Sequence, residues 1–197
     1  MLTNYMQSCF GKKIVRPRVM AALPTGVTEL QHHSLSQVVE SAGGRNVTII
    51  ENPIAVAIGL GLDFTNPKGN LIVDMGAGTT DIATVSMGGI VQCDSFATAG
   101  NTFDELIEKY IKKEYNLLIG ETTAEDIKIT IGTAYPQEQE SYMEIRGRDL
   151  TEGLPKTITI SSNDVMEAIR EPIAAIIDSI KYALERTPPE LAADIMD

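Results

Sequence analysis

A run of aspartate, glycine and threonine residues between positions 74 and 81 has the composition of a phosphate-binding turn. Asp74 follows the apolar residues 71–73, which predict a buried strand. Glycines let backbone N–H groups approach a phosphate, and N–H groups that point into one concavity form an anion site. A nearby carboxylate can hold a hydrated Mg²⁺, because this ion keeps most of its waters. After Met75, the turn contains Gly76, Ala77, Gly78, Thr79 and Thr80, and Asp81 follows it.

The elements around this turn predict a β-hairpin. A second strand runs through Ile82, Thr84 and Val85, so the glycines lie at the tip between two strands. The alternative is an ordinary tight hairpin in which Asp74 and Asp81 cap the turn, since a motif this short also matches by chance. The local pattern leaves both interpretations open.

The pattern D-x-G-x-G-T-T-D at a strand end resembles the second phosphate motif of the actin, Hsp70 and sugar-kinase superfamily. Longer strings are similar to one branch, MreB, the bacterial actin of rod-shaped cells. They cover nearly the whole chain and include IENPIAVAIGLGLD, SMGGIV, YNLLIGETTAEDIKITIGTAYP, IRGRDLTEGLPKTITI and LERTPPELAADI. The resemblance implies an α/β fold of the actin-like (ribonuclease H-like) ATPase type, present in part and with a small α+β insertion.

The resemblance also suggests how the chain divides into subdomains. Residues 59–70 are rich in Gly, Pro and Asn, which is typical of a boundary. Residues 1–67 are expected to form part of a first-half subdomain (IA-like), and residues 68–118 with 161–197 a second-half subdomain (IIA-like). Residues 119–160 are expected to form the small insertion (IIB-like), from a helix and two antiparallel strands.

The ligands implied by the resemblance are ATP and Mg²⁺. Asp74 would hold the metal through water, and Gly100, which follows Ala99 at a helix start, would face the nucleotide. Glu125 and Lys128 share a helix face and would lie beside the adenosine; the alternative is an exposed ion pair of about 0.3 kcal/mol. The β- and γ-phosphates would be bound by Gly76, Ala77, Gly78 and Thr79.

The position that precedes Pro53 bears on hydrolysis. In the family this position is usually a glutamate that orients the attacking water, but here it is Asn52, with Glu51 one residue earlier. An amide cannot act as a general base, so either Glu51 substitutes or hydrolysis is weak. The alternative is that Glu51 has no role in hydrolysis and is an ordinary negative charge at a helix N-terminus. Whether the chain is an enzyme is therefore left open.

Capping boxes predict where several helices begin. In this motif a Ser or Thr side chain and a polar residue three positions later bond to each other's backbone N–H groups. Such helix starts are predicted at Thr28 with Gln31, Thr102 with Glu105, Thr122 with Glu125, Ser161 with Asp164, and Thr187 with Glu190.

Composition limits the class of protein and its location. The net charge of −11 argues against binding to nucleic acid and against attraction to anionic lipid. The two cysteines form neither a disulfide framework nor a zinc spacing, which suits the cytoplasm. By resemblance, Ile14 and Val15 would contribute to peripheral contact with the inner face of the cell membrane. The alternative for this dipeptide is a lead-in to a core strand.

The function that the resemblance implies is an ATP-binding cytoskeletal protein whose filaments direct cell-wall synthesis and rod shape. Its partners would be further copies of itself and a membrane-bound protein such as RodZ. The first phosphate motif and the later glycine-rich adenosine loop are missing from the sequence, so weak nucleotide binding is expected. The alternatives are a non-catalytic self-assembly or interaction module, and an Hsp70-like or sugar-kinase-like ATPase.

Overall fold

A computed structural model describes Asn4, Ser8 and residues 16–196. The predicted membrane dipeptide, Ile14 and Val15, lies outside these residues. The described part of the chain forms two compact units. The first unit contains the segments up to Asp74, Asp81–Phe96 and from Ala183 onward, and the second contains Met75–Thr80 and Ala97–Tyr182. The three-part division expected from the resemblance is a different partition and stays a prediction.

The first unit begins with two parallel strands and two helices: β1 (Arg18–Leu23), α1 (Glu29–Ser41), β2 (Arg45–Glu51) and α2 (Asn52–Gly59). Parallel strands need a crossover connection, which α1 provides. The predicted capping box at its start is confirmed, because Gln31 N donates to Thr28 Oγ1 at 3.3 Å and Thr28 N donates to Gln31 Oε1 at 2.8 Å. Pro53 occupies the first turn of α2, where its missing N–H costs nothing.

The predicted hairpin is confirmed as part of a three-stranded sheet. Its strands are β3 (Asn70–Met75), β4 (Thr80–Ser86) and β5 (Gly89–Phe96), in that spatial order. The central strand β4 is buried along its whole length, so its polar residues are enclosed together with its apolar ones. The core of this unit is formed by Ala57, Ile72, Ala83 and Val85.

The second unit combines helices with a small sheet. Its elements are α3 (Gly100–Tyr115), β6 (Leu117–Leu118), α4 (Glu121–Ile131), β7 (Tyr142–Asp149), β8 (Pro155–Ser161) and most of α5 (Ser162–Arg186). The last residues of α5, from Ala183, belong to the first unit. The predicted antiparallel pairing of β7 with β8 is confirmed, and β6 extends this sheet beyond β7. Its fully buried large side chains include Ile107, Ile111, Leu117, Ile127, Ile160 and Val165.

The capping-box predictions were only partly right. The box at Ser161 is confirmed, because Ser161 N donates to Asp164 Oδ2 at 2.9 Å and Asp164 N donates to Ser161 Oγ at 3.3 Å. Three others are wrong: α3 begins at Gly100, α4 begins at Glu121 without a side-chain cap, and a final helix α6 (Pro189–Ile195) follows Pro188. Thr187 is instead buried, and its hydroxyl donates to Ala183 O at 2.8 Å.

The longest helix, α5, has 25 residues, which is enough to span a bilayer by length alone. It is amphipathic, with Val165, Ile169 and Ile176 buried while Arg170 and Glu171 are exposed. No helix in the part of the chain that the structure describes is both long and apolar enough to cross a membrane.

Candidate functional site

The tip of the β3–β4 hairpin presents backbone N–H groups to solvent. Gly76, Ala77 and Gly78 are exposed, and Thr79 is half-buried. The turn is closed by one hydrogen bond, from Gly76 N to Thr79 O at 2.9 Å. Within residues 16–196, the amides of Ala77, Gly78 and Thr79 have no hydrogen-bond acceptor. Consecutive free N–H groups on a glycine turn are the donors that an anion site requires.

The first turn of α3 holds this tip in place. Gly100 N donates to Gly76 O at 3.1 Å, and Asn101 N donates to Ala77 O at 2.8 Å. These two amides belong to the group at a helix start that has no partner inside the helix, so the tip carbonyls satisfy them. A Cβ on Gly100 would lie 3.3 Å from Gly76 O, a tight contact, so the close approach favours glycine at this position.

The second unit also places Lys128 next to Gly100. Lys128 Nζ donates to Gly100 O at 3.2 Å and to Asp104 Oδ2 at 2.7 Å. Lys128 is half-buried, whereas Glu125 on the same helix is exposed. The alternative of an ion pair between Glu125 and Lys128 is therefore wrong, because the partner of Lys128 is Asp104.

Asp104 was missed by sequence reasoning. It lies in the second turn of α3, 24 residues before Lys128, so no local spacing links the two. Its position four residues after Gly100 puts it on the same helix face, which was the one available signal. Its Oδ1 atom is buried and has no hydrogen-bond partner among the described residues.

In the first unit, Asn52 contacts the second aspartate of the motif. Asn52 Nδ2 donates to Asp81 Oδ2 at 3.1 Å. Asp81 is fully buried on β4, and its Oδ1 atom has no partner among the described residues. The side chain of Asp81 is thus engaged with α2 and does not cap the hairpin turn, which rules out that alternative for this residue.

Glu51 and Asn52 point to different surroundings. Glu51 is exposed at the end of β2 and lines a cavity of about 210 Å³. That cavity is otherwise lined by Leu23, Gly26, Val27, His32, Ile49 and Ile50. Asn52 is hydrogen-bonded to Asp81, whereas Glu51 has no comparable side-chain hydrogen bond among the described residues.

Asp74 fits the role of a metal ligand through water. It is half-buried at the end of β3, and its carboxylate accepts no hydrogen bond from the residues described. No three described His, Cys, Asp or Glu side chains are close enough together to ligate a metal directly. One free carboxylate is consistent with Mg²⁺, which commonly takes one or two protein carboxylates and completes its shell with water and phosphate oxygens.

The chain is similar along its whole length to a known protein family. The family model described as MreB/Mbl protein matches residues 1–197. The chain is 49% identical over 182 residues to the cell shape-determining protein Mbl of Bacillus subtilis (strain 168), covering 92% of this chain and 55% of that protein. It is 41% identical over 199 residues to the cell shape-determining protein MreB of Escherichia coli (strain K12), covering 100% and 57%. The chain spans about half the length of these relatives.

Solved structures give the same result. MreB5 of Spiroplasma citri bound to ADP superimposes with a TM-score of 0.92 at 42% identity, covering 98% of this chain and 60% of that chain. The same protein bound to AMPPNP gives a TM-score of 0.91 at 41% identity, with equal coverage. The MamK double helical filament has a TM-score of 0.78 at 22% identity, which shows a shared fold only. The expected actin-like α/β fold is confirmed, and the match opposes the Hsp70-like and sugar-kinase-like alternatives.

Proposed function

Because the chain belongs to the MreB/Mbl family, we propose that it binds ATP with Mg²⁺ at the hairpin tip and takes part in an actin-like filament. The observation that carries this proposal is the row of free amides at Ala77, Gly78 and Thr79. MreB5 of Spiroplasma citri, with the same fold, has been crystallised with ADP and with AMPPNP, which supports a nucleotide as the anion.

The roles proposed for the binding residues are consistent with their positions. The free amides of the tip would donate to phosphate oxygens, with the Thr79 hydroxyl as a further donor. Lys128 has three N–H donors and uses two of them on Gly100 and Asp104, so one remains for the nucleoside. Exposed Glu125 is free to accept from a ribose hydroxyl. Asp74 would hold the waters of a bound Mg²⁺, which would neutralise phosphate charge.

Hydrolysis is proposed to be slow. Asn52 has no carboxylate, and its side-chain N–H group is engaged with Asp81. It can orient a water through its carbonyl oxygen but cannot remove a proton from it. Glu51 is the one carboxylate adjacent to it in sequence, and it lines a separate cavity. A protein that binds ATP and assembles, with little turnover, is consistent with this arrangement.

A second candidate is a non-catalytic module that self-assembles without nucleotide. It is favoured by the missing carboxylate at Asn52. Under either candidate, the partners would be further copies of the chain and a membrane-bound protein such as RodZ. Filaments that direct cell-wall synthesis and rod shape, at the cytoplasmic face of the membrane, belong to this proposed role.

Sedimentation of the chain with and without Mg-ATP separates the two candidates. Pelleting that requires Mg-ATP, and that is weakened in Gly78→Ala, is the result expected for the first candidate. A Cβ at Gly78 meets no protein atom within 4 Å, so this substitution disturbs a ligand at the tip and not the fold. Pelleting that is equal with and without nucleotide in both proteins would exclude the first candidate and support the second. Phosphate release in the same samples measures turnover.

A further inference from the structure

The ion pair between Asp104 and Lys128 is the closest contact in a series that leads to the hairpin tip. The Nζ to Oδ2 distance is 2.7 Å, and the side chains are 23% exposed for Lys128 and 9% for Asp104. A charged hydrogen bond of this length and burial fixes the ammonium far better than an exposed pair would. Exposed pairs in the same unit are longer, such as Lys181 with Asp178 at 3.2 Å.

The fixed ammonium is bonded in turn to the helix start. Lys128 Nζ donates to Gly100 O at 3.2 Å, and the amides of Gly100 and Asn101 donate to the tip carbonyls of Gly76 and Ala77. The series therefore runs from a carboxylate in the second turn of α3, through a lysine of α4, to the backbone that presents the free amides. Every contact in it lies within the second unit.

We propose that Asp104 is a positioning residue that holds the phosphate-binding tip in its binding conformation through Lys128 and Gly100. The inference rests on the proposed function for its consequence in ATP binding, but the contacts can be tested without nucleotide. Asp104 fixes where the lysine donates, and the lysine fixes the carbonyl of Gly100. Without the Asp104 carboxylate, the flexible four-carbon side chain of Lys128 keeps only its weaker, neutral hydrogen bond to Gly100 O. The first turn of α3 and the tip then become free to separate.

The alternative is that Asp104 and Lys128 are an ordinary structural ion pair, and a matched pair in the same unit provides the control. Asp149 is 8% exposed, and its Oδ2 accepts from Lys156 Nζ at 2.9 Å. Among the described residues, its hydrogen bonds reach neither the tip residues nor the start of α3. A purely structural role predicts that removing either carboxylate loosens the unit in the same general way.

Amide hydrogen exchange of the 197-residue chain without nucleotide, followed by NMR, distinguishes the two roles. In Asp104→Asn, exchange at the Gly100 and Asn101 amides is expected to rise about tenfold relative to other protected amides of the unit, such as that of Ile127. In Asp149→Asn these two amides are expected to keep their wild-type ratio, and Asp104→Glu should restore part of the protection. A uniform rise in Asp104→Asn, or an equal effect in Asp149→Asn, would overturn the proposal.

A second variant covers the case in which Asp104→Asn fails to fold. The double substitution Asp104→Leu with Lys128→Met replaces the ion pair by apolar side chains, which folded proteins often tolerate. It removes the contact with Gly100 O as well, so the same selective rise at Gly100 and Asn101 is expected. Wild-type protection of these amides in the double variant would contradict the positioning role.

Nucleotide titration of the same proteins keeps this inference apart from the proposed function. If the wild type binds Mg-ATP, Asp104→Asn should weaken that binding about tenfold, while Asp149→Asn should leave it unchanged. A selective rise in exchange at Gly100 and Asn101, together with no Mg-ATP binding by the wild type, would support the positioning role of Asp104 and contradict the proposed function. Mg-ATP binding by the wild type without the selective rise in exchange would support the proposed function and overturn the positioning role of Asp104.

Discussion

Asn52 donates a 3.1 Å hydrogen bond to Asp81, a carboxylate with no exposed surface and with no other hydrogen-bond partner among the described residues. The contact joins the start of α2 to the central strand of the hairpin sheet inside the first unit. It ties up the N–H group of the residue that stands where a water-orienting glutamate is usual in the family. The contact should therefore contribute to stability and, under the proposed function, limit turnover.

Asn52→Ala should lower the free energy of unfolding by about 2 kcal/mol, because the fully buried Asp81 side chain would lose its hydrogen bond from Asn52. Urea unfolding followed by circular dichroism measures the change. Asn66→Ala is the matched control, because the side-chain amide of Asn66 donates to Asp63 at 2.7 Å on an exposed surface. This variant should lower the free energy of unfolding by less than about 0.5 kcal/mol. Equal losses in the free energy of unfolding for the two variants would show that burial of Asp81 does not strengthen the contribution of its hydrogen bond.

Gly100→Ala and Gly78→Ala should separate the stability of the tip from its ligand binding. A Cβ at Gly100 would lie 3.3 Å from Gly76 O and 3.4 Å from Lys128 Nζ, so this variant should lose about 1 kcal/mol. A Cβ at Gly78 meets nothing within 4 Å, so this variant should keep its stability within about 0.5 kcal/mol.

Mg-ATP affinity completes that comparison and is measured by calorimetry. Gly78→Ala should bind about tenfold more weakly, equivalent to about 1.4 kcal/mol, because its methyl group would project into the open space beside the tip, where the proposed function puts a phosphate. Unchanged affinity in Gly78→Ala would place the nucleotide elsewhere. Wild-type affinity in the micromolar range or better would contradict the expectation of weak binding.

The acid sensitivity of the second unit should depend on Asp149. Its hydrogen bonds from Lys156 and from the backbone of Thr151 and Glu152 lower the pKa of Asp149 from 3.8 to about 2. Since the pKa in the folded state is the lower one, Asp149 adds stability above about pH 4, and this contribution disappears as the pH falls towards 2.

Thermal unfolding of wild type and Asp149→Asn between pH 2 and pH 6 tests this. The difference in melting temperature between wild type and Asp149→Asn should be largest above pH 4 and should become smaller towards pH 2. Asp178→Asn is the control, because Asp178 is 75% exposed and its pair with Lys181 should contribute little at any pH. A gap for Asp149→Asn that is constant across the range would refute the assignment.

The hairpin and two of the five capping boxes could be predicted from local patterns, and contacts across long sequence distances could not. The hairpin and the capping boxes at Thr28 and Ser161 depend on residues within a few positions of one another, so their patterns are visible in the sequence. The contacts of Asp81 with Asn52 and of Asp104 with Lys128 span 29 and 24 residues and depend on packing.

The wrong prediction at Thr187 has a related cause. Its hydroxyl lies 2.9 Å from that of Thr84, 103 residues earlier, and also donates back to Ala183 O. A capping pattern that is locally possible was thus displaced by a buried tertiary contact. The alternative ion pair of Lys128 with Glu125 failed for the same reason, because a buried carboxylate on another helix competes better than an exposed one on the same helix.

The most direct test of the central claim is an NMR titration of the ¹⁵N-labelled chain with Mg-ATP. We expect saturable shifts of the backbone amides of Ala77, Gly78 and Thr79, larger than those caused by Mg²⁺ alone and much reduced in Gly78→Ala. Unchanged resonance frequencies of the tip amides at millimolar Mg-ATP, or shifts confined to other parts of the chain, would contradict the claim that this turn binds phosphate.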